Sequence, residues 1–297
     1  MSDTRIIVNV SDAHILTRFV PEETMTVQNL SNNIATLPSS QGESPSNSNL
    51  QQQTRYQMLA FFKPFFSLLS GFKSLFSMLL GFTSFFFLLF GNNSLGTVNA
   101  LYESLTGTPA YELLAQHLKR DPACAALIRD RYIPPAHDLD KFLTYAPDSL
   151  GYIYAATMKQ RGFDPNLHVG MPTESDAQYV EFRLSQTHDI WHIITGFGAS
   201  EVDEIGLQAF HLTQFPYPLG TMLVANSLIS STLLAPEQLP DLLDTIARGM
   251  QMGKTAQSLF AQKWEEGWEK PLTQWQAELN IQPIRPKNSD RILLQTA

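Results

Sequence analysis

Residues 187 to 204, THDIWHIITGFGASEVDE, bring His188, Asp189 and His192 within five positions and close on an acidic pair. The chain has seven histidines, and two stand four apart here beside an aspartate. On a helix His192 lies ~40° around from His188, and Asp189 sits ~100° from His188 on the flank of the same wedge. Three ligand-type side chains therefore converge. Gly196 and Gly198 then break the helix, and Glu204 arrives early in the next one, where a helical hairpin would fold it back toward the imidazoles. Two imidazoles and two carboxylates suit Zn²⁺ or, with the oxygen ligands favoured, a harder divalent ion such as Mg²⁺. Burying such groups without a cation is costly, because carboxylates desolvated together repel.

The remaining polar groups read differently. His211 shares the face of Glu204 and is expected to be a core histidine with one hydrogen-bond partner, the alternative being a fifth polar group near the cation. Glu201 and Asp203 belong at a helix N-terminus, where negative charge is favoured. His117, His137 and His168 have no ligand-type neighbours in sequence and are read as structural.

The elements that position these groups are helical. Val180, Leu184, His188 and Trp191 form one stripe, and Ser175 is placed to cap a helix running from Asp176 to about Thr195. Thr108 with Pro109, and Asp121 with Pro122, read as N-caps followed by a proline at the first helical position. Lys119 and Arg120 suit the end of the helix between them. Asp148 and Ser149 open a further helix that Gly162 closes. Beyond the site, helices are expected over about 201–214, 219–234, 237–266 and 271–280, punctuated by Pro216, Pro218, Pro236 and Pro271. Few runs alternate with period two. The fold class is therefore all-α: a multi-helix single domain over about 96–285 carrying a helical metal-binding hairpin.

Composition narrows the partners. With 297 residues and 43% hydrophobic content the chain can bury one sizeable core. A net charge of −8 leaves no basic face for a phosphate backbone, so nucleic acid is excluded as a partner. The one cysteine, Cys124, rules out an intrachain disulfide and a thiolate cluster. The first residues lack the charged front and apolar run of a secretory signal, so a cytoplasmic location is expected.

Two segments precede the domain. Residues 1–57 are expected to be a flexible region, because 29–57 are dominated by Ser, Asn, Gln and Pro. The Phe-rich segment, 58–95, contains a decapeptide repeated three times, FFSLLSGFKS, LFSMLLGFTS and FFFLLFGNNS. Its dense apolar part, 75–90, falls short of the ~20 residues needed to span a bilayer. It is read as a membrane-associating element, a hydrophobic helix covered by the domain or an aggregation-prone tract, and in each case as an appendage. Residues 286–297 form a C-terminal tail.

His188, Asp189, His192, Gly196 and Glu204 together give the pattern H-D-x-x-H-x-x-x-G followed by a glutamate, which resembles the signature of the coenzyme Q biosynthesis protein 4 family. KRDPACAALIRDR at 119–131, APDSLGYIY at 146–154, YVEFRLSQTHD at 179–189 and AQKWEEGWEKPLTQWQAELNI at 261–281 resemble family segments in the same order. The resemblance implies an all-α protein that associates peripherally with membranes and binds a divalent cation, commonly zinc, through His188, Asp189, His192 and Glu204. It also implies a role in quinone biosynthesis. That role is either catalytic, removing the C1 carboxyl group of a prenylated hydroxybenzoate, or organisational, as a lipid-binding scaffold for other quinone-biosynthesis enzymes. In the catalytic case Asp189 is alternatively a proton carrier that leaves the ion with three protein ligands. One departure stands out: the family usually has Gly before the glutamate, and here it is Asp203. A prenylated ligand fits the apolar faces at Ile205, Leu207, Phe210 and Leu212, at Met222, Leu223, Val224, Ile229 and Leu233, and at Leu243, Ile246, Met250 and Leu259. A homo-oligomer is left open.

Overall fold

From residue 108 onward, prolines and polar caps set where the helices begin. The structure, a computed structural model, describes residues 76–90, 95–106 and 108–284. The expected flexible region over 1–57 and the tail over 286–297 lie outside those residues, as does the Phe-rich segment before residue 76. The chain divides into two compact units, residues 1–16 with 80–297 and residues 17–79. Of the second unit, residues 76–79 are described, and all four are helical.

Among the described residues every regular element is a helix, with one isolated bridge between Ser149 and Pro271. The first, α1, is helical over 76–89. It is followed by α2 (Leu95–Thr106), α3 (Pro109–Leu118), α4 (Pro122–Asp130), α5 (Leu139–Phe142) and α6 (Leu150–Arg161). Then come α7 (Asp176–Thr195), α8 (Glu201–Gln214), α9 (Pro218–Leu234), α10 (Leu239–Thr255) and α11 (Leu272–Glu278).

The caps do what the side-chain chemistry requires. Asp121 accepts from the backbone N–H groups of Ala123 and Cys124, and Ser149 accepts from Tyr152. Ser175 and Gln178 form a reciprocal capping box at the head of α7, satisfying two of the donors that a helix N-terminus leaves unpaired. Gly162 and Gly196 close α6 and α7 in the left-handed conformation, at φ 68° and 77°, which costs glycine little.

α7 lies at the centre of the fold. Val180, Ile190, Trp191 and Ile194 are fully enclosed, and the stripe continues to His188 at a half-buried position. Arg183 on α7 is also buried, and its guanidinium pairs with Glu265 at 2.6 Å while donating to the Gln262 carbonyl at 2.7 Å. That pair pins the 262–266 loop against α7.

One expectation changes at this end of the chain. The helix expected over 237–266 stops at Thr255. Past it the backbone N–H groups of Gln257 and Leu259 bond to the Leu279 carbonyl and to Gln214 Oε1. Leu259, Phe260 and Trp264 are thereby drawn into the core, and only a single 3₁₀ turn forms, at Trp264–Glu266. The four-residue α5, capped by Asp138 accepting from the Lys141 N–H, is too short to leave a periodic signal.

The Phe-rich helix is also not an appendage over 80–90. Ser84 and Leu88 are buried, and Asn226 of α9 donates to the Phe85 carbonyl at 2.8 Å. A Cβ at Gly81 would lie 2.6 Å from Ser104 Oγ, so the small residues of the repeat form the packed edge. Phe82, Phe86, Phe87 and Phe90 stay exposed on the other side. No helix of the described residues is long and apolar enough to cross a membrane.

The helices that present Glu204 are packed unusually close. A Cβ at Gly249 on α10 would run into the Gly206 carbonyl of α8, and one at Gly253 would lie 2.7 Å from the Phe210 carbonyl. This register makes α10 parallel to α8. Gly220 of α9 stands against Gln208 of α8, and α9 returns antiparallel after the Phe215–Tyr217 turn. With 1.5 Å of rise per residue, roughly two turns of α9 and one of α10 extend past the N-terminus of α8. That projecting hairpin carries the exposed side chains of Ile229, Leu233, Leu234 and Leu243.

Candidate metal centre

His188 and His192 come from the last two turns of α7, and Glu204 comes from the first turn of α8. The Gly196 cap reverses the chain, and Ser200 restarts the helix by accepting from the Asp203 N–H at 3.1 Å. The hairpin expected from the sequence therefore forms, and it folds Glu204 back onto the imidazoles.

Three ligand atoms meet there. His192 Nε2 stands 3.1 Å from His188 Nε2 and 3.0 Å from Glu204 Oε2, and His188 Nε2 stands 3.5 Å from the same oxygen. Ligands held tetrahedrally at zinc distances are about 3.3 Å apart, so the spacing matches the donor set of a small divalent cation. His188 and Glu204 keep about a third of their side-chain surface exposed, at 34% each, against 11% for His192. The cluster thus opens outward past His188 and Glu204.

The outer contacts orient it. His192 Nδ1 donates to the Phe197 carbonyl at 3.1 Å, which places the hydrogen on Nδ1 and leaves the lone pair of the neutral ring on Nε2, facing the cluster. A backbone carbonyl on the far nitrogen is the usual support of a metal-binding histidine. Glu204 Oε1 accepts from Gln208 Nε2 at 2.7 Å, and Gln208 Oε1 in turn accepts from His211 Nδ1 at 3.1 Å.

Electrostatics show what the cluster lacks. Burial opposes a charge on His188, but the Glu204 carboxylate outweighs it and pushes the ring up to about 9. Burial likewise opposes ionisation of Glu204, and the two imidazoles still hold it well below the usual carboxylate range. Two imidazole nitrogens at 3.1 Å repel if both present lone pairs. A hydrogen on one of them, or a cation in its place, has to stand between them.

Among the described residues, His188, His192 and Glu204 form the one group of three such donors that could hold an ion. Asp189 is half-buried beside them and outside that group. Its charge acts on His188 and, second to burial, raises the Tyr154 hydroxyl of α6. Asp203, the departure from the family pattern, accepts from Ser200 Oγ at 2.7 Å and so completes the α8 cap.

The other histidines separate cleanly. His211 is buried with Gln208 as its partner, as expected of a core histidine, and burial followed by the charge of His188 pushes it down to about 3. His137 has company that the sequence did not reveal: Tyr154 OH lies 3.1 Å from its Nδ1, and the His168 ring centroid lies 5.8 Å away. Sequence reading missed Gln208 and the Phe197 carbonyl. The signal for Gln208 was available, since it stands one helical turn after Glu204 and three residues before His211.

A family profile described as Coenzyme Q (ubiquinone) biosynthesis protein Coq4 matches residues 72–285, which takes in most of the Phe-rich repeat as well as the helical domain. The mitochondrial ubiquinone biosynthesis protein COQ4 homolog of Rattus norvegicus is 26% identical over 191 residues, covering 62% of this chain and 70% of its own length. The mitochondrial ubiquinone biosynthesis protein COQ4 of Uncinocarpus reesii is 25% identical over 197 residues, covering 64% and 69%. A crystal structure from Nostoc punctiforme PCC 73102, of a protein whose assignment to ubiquinone biosynthesis is provisional, superposes with a TM-score of 0.61. It is 29% identical and covers 67% of this chain and 96% of its own.

Proposed function

The chain belongs to the coenzyme Q (ubiquinone) biosynthesis protein Coq4 family, and from that premise we propose that it binds a divalent cation, zinc before magnesium, at His188, His192 and Glu204. We propose further that it acts on a prenylated aromatic acid of quinone biosynthesis. The observation that carries this reading is the triangle of donor atoms at 3.0, 3.1 and 3.5 Å, supported from behind by the Phe197 carbonyl.

Charge favours an anionic ligand. Two neutral imidazoles and one carboxylate leave a divalent ion with net positive charge, and three protein ligands leave it a free position, the arrangement of catalytic rather than structural zinc. When bound, such an ion supplies Lewis acidity toward a carboxylate or phenolate oxygen. The apolar half of the ligand is supplied for by the α9–α10 hairpin that projects beyond Glu204. Of the apolar faces expected to hold a prenyl tail, Ile205, Leu207, Phe210 and Leu259 are spent on the core, while Ile229, Leu233, Leu243 and Met250 are exposed. An aromatic head at the cluster and a tail along the hairpin fit a site with one polar end.

The reaction we propose is loss of the C1 carboxyl group of a prenylated 4-hydroxybenzoate. The chain's own work is to orient the head group, with Glu204 fixed by Gln208 and His192 fixed by Phe197. Asp189, beside the triad and not consumed by it, is the group placed to carry a proton. Release of carbon dioxide from a prenylated hydroxybenzoate by the metal-loaded protein, lost in Asp189→Asn with metal content unchanged, tests this role. Normal turnover in that variant overturns it.

A second reading rests on the same aspartate. If Asp189 turns inward and completes a four-ligand set, the ion is closed to substrate and the protein is a lipid-binding scaffold for other quinone-biosynthesis enzymes. X-ray absorption on the zinc-loaded protein separates the two, since a water in the first coordination sphere supports catalysis and its absence supports the scaffold. In either case α1 favours contact with a membrane surface. Phe82, Phe86 and Phe90 run along one side with ring centroids 5.1 and 5.8 Å apart, and no charged residue occurs between Lys73 and Glu103. Sedimentation with neutral phospholipid vesicles, abolished by Phe82→Ser with Phe86→Ser, is the expected result, and unchanged sedimentation counts against it.

A further inference from the structure

We propose that Gln208 is a positioning residue of the cation site, and that His211 reinforces the orientation in which its amide nitrogen faces the carboxylate. This rests on the reading of His188, His192 and Glu204 as cation ligands and adds the groups that decide how firmly they hold.

The donors and acceptors fix the arrangement without ambiguity. An ionised carboxylate only accepts, so the group 2.7 Å from Glu204 Oε1 must be the amide nitrogen of Gln208. The amide oxygen is then the atom 3.1 Å from His211 Nδ1, and an oxygen acceptor requires the hydrogen on that nitrogen. The hydrogen of His211 therefore sits on Nδ1. Its ring is held by Phe215, stacked at 5.9 Å, and by Trp191 and Tyr217 edge-on at 4.7 and 5.5 Å. Gly220 of α9 closes over the far side, where a Cβ would lie 3.0 Å from Gln208 Oε1.

The consequence lies at the ion. Oε1 of Glu204 is tied to Gln208, so Oε2 is the oxygen left to face His188 and His192. Because the tether is a neutral amide, Glu204 keeps its full negative charge for the cation, which a lysine at the same place would partly cancel. His211 adds to the preference the carboxylate already sets: its Nδ1–H holds the amide oxygen inward, so a turned amide would lose both bonds and set oxygen against carboxylate.

The experiment is zinc binding alone, by competition with a chromogenic chelator at pH 7.5, on the full-length chain. Gln208→Leu is expected to lower zinc affinity by about 10- to 100-fold, and His211→Phe, which keeps the ring stack, by a smaller factor. The decisive observation is coupling, with His211→Phe costing nothing further in the Gln208→Leu background. Gln208→Lys, which restores a donor to Glu204 but adds charge, is expected to hold the ion less tightly than wild type and to be indifferent to His211. Circular dichroism melts of the metal-free variants report the fold separately. Equal zinc affinity in wild type and Gln208→Leu overturns the proposal, and so do independent, additive losses from the two sites. Failure of the wild type itself to bind zinc overturns the reading of the ligands, a different result from either of these.

Discussion

His188 Nε2 and His192 Nε2 face each other across 3.1 Å, one helical turn apart on α7, with the Glu204 carboxylate closing the third side. The pairing is built from the chain outward: the capping box at Ser175 sets the start of α7, the stripe through Val180 and Leu184 sets its rotation, and Gly196 returns the chain so that Glu204 reaches the cluster. An imidazole pair at this separation needs a hydrogen or a cation between its nitrogens, and the pH behaviour of the cluster follows from that requirement.

Zinc binding should depend steeply on pH. In the metal-free protein His188 is pushed up to about 9, so below that value an incoming ion must displace its proton. Affinity is expected to fall about tenfold for each pH unit from 9 down to 6, and calorimetry in buffers of different ionisation enthalpy should report about one proton released per zinc near pH 7.5. No proton release would mean that the ring is already neutral.

The metal-free protein should lose stability at high pH for the same reason. A group whose folded value is raised contributes stability that is fully present below its unfolded value, near 6.5, and is lost as pH rises through about 9. Thermal melts from pH 6 to 10 should show this loss in the wild type and not in His188→Gln. A parallel decline in both would place the effect elsewhere.

Glu181 should behave as a second pH-sensitive group, two turns before His188 on α7. Burial pushes its carboxyl up to about 7, and it lies on α7 with Oε1 3.4 Å from Tyr217 OH and Oε2 without a partner. Stability tied to its bound proton is full below about 4.5 and lost as pH rises to about 7, a change of order 3 kcal/mol. Glu181→Gln should flatten wild-type denaturation midpoints across that window. Unchanged pH dependence would show that Glu181 is already ionised.

The Arg183–Glu265 pair should be costly to break from one side. Both side chains are almost wholly enclosed, at 1% and 4% exposed. Glu265→Ala leaves a buried guanidinium uncompensated and is expected to cost about 3–5 kcal/mol in urea unfolding, whereas Arg183→Met with Glu265→Leu should cost much less. Similar losses in the single and double variants would mean that packing, not charge, dominates.

Much of this was legible from residues whose local chemistry is self-sufficient. Ser175, Asp121 and Gly162 act through their own backbones, so most helix limits from 109 to 234 follow from sequence, with α5 and the Thr108 cap as the exceptions, since Thr108 Oγ1 donates to the Leu105 carbonyl instead of accepting from α3. The hairpin that unites His188, His192 and Glu204 was legible for a similar reason, since it needs only one helical turn and one glycine cap. Features that depend on distant partners were not. The end of α10 at Thr255 is decided by Gln214 and the Leu279 carbonyl, and the burial of Ser84 and Leu88 is decided by a helix far along the chain. Asp189 illustrates the limit at the site: its angular position on α7 brought it to the flank of the cluster, while the direction of its carboxylate depends on what α6 and the ligand offer.

The central claim is that this cluster binds a cation, and metal content measured by mass spectrometry on the purified, dialysed full-length protein tests it most directly. The account predicts close to one equivalent of zinc or another divalent metal in the wild type and in His117→Ala, and less than a tenth of that in His188→Ala and His192→Ala, with circular dichroism spectra alike in all four. Wild-type protein that remains free of metal after incubation with zinc, or variants at His188 and His192 that retain it in full, would contradict the claim.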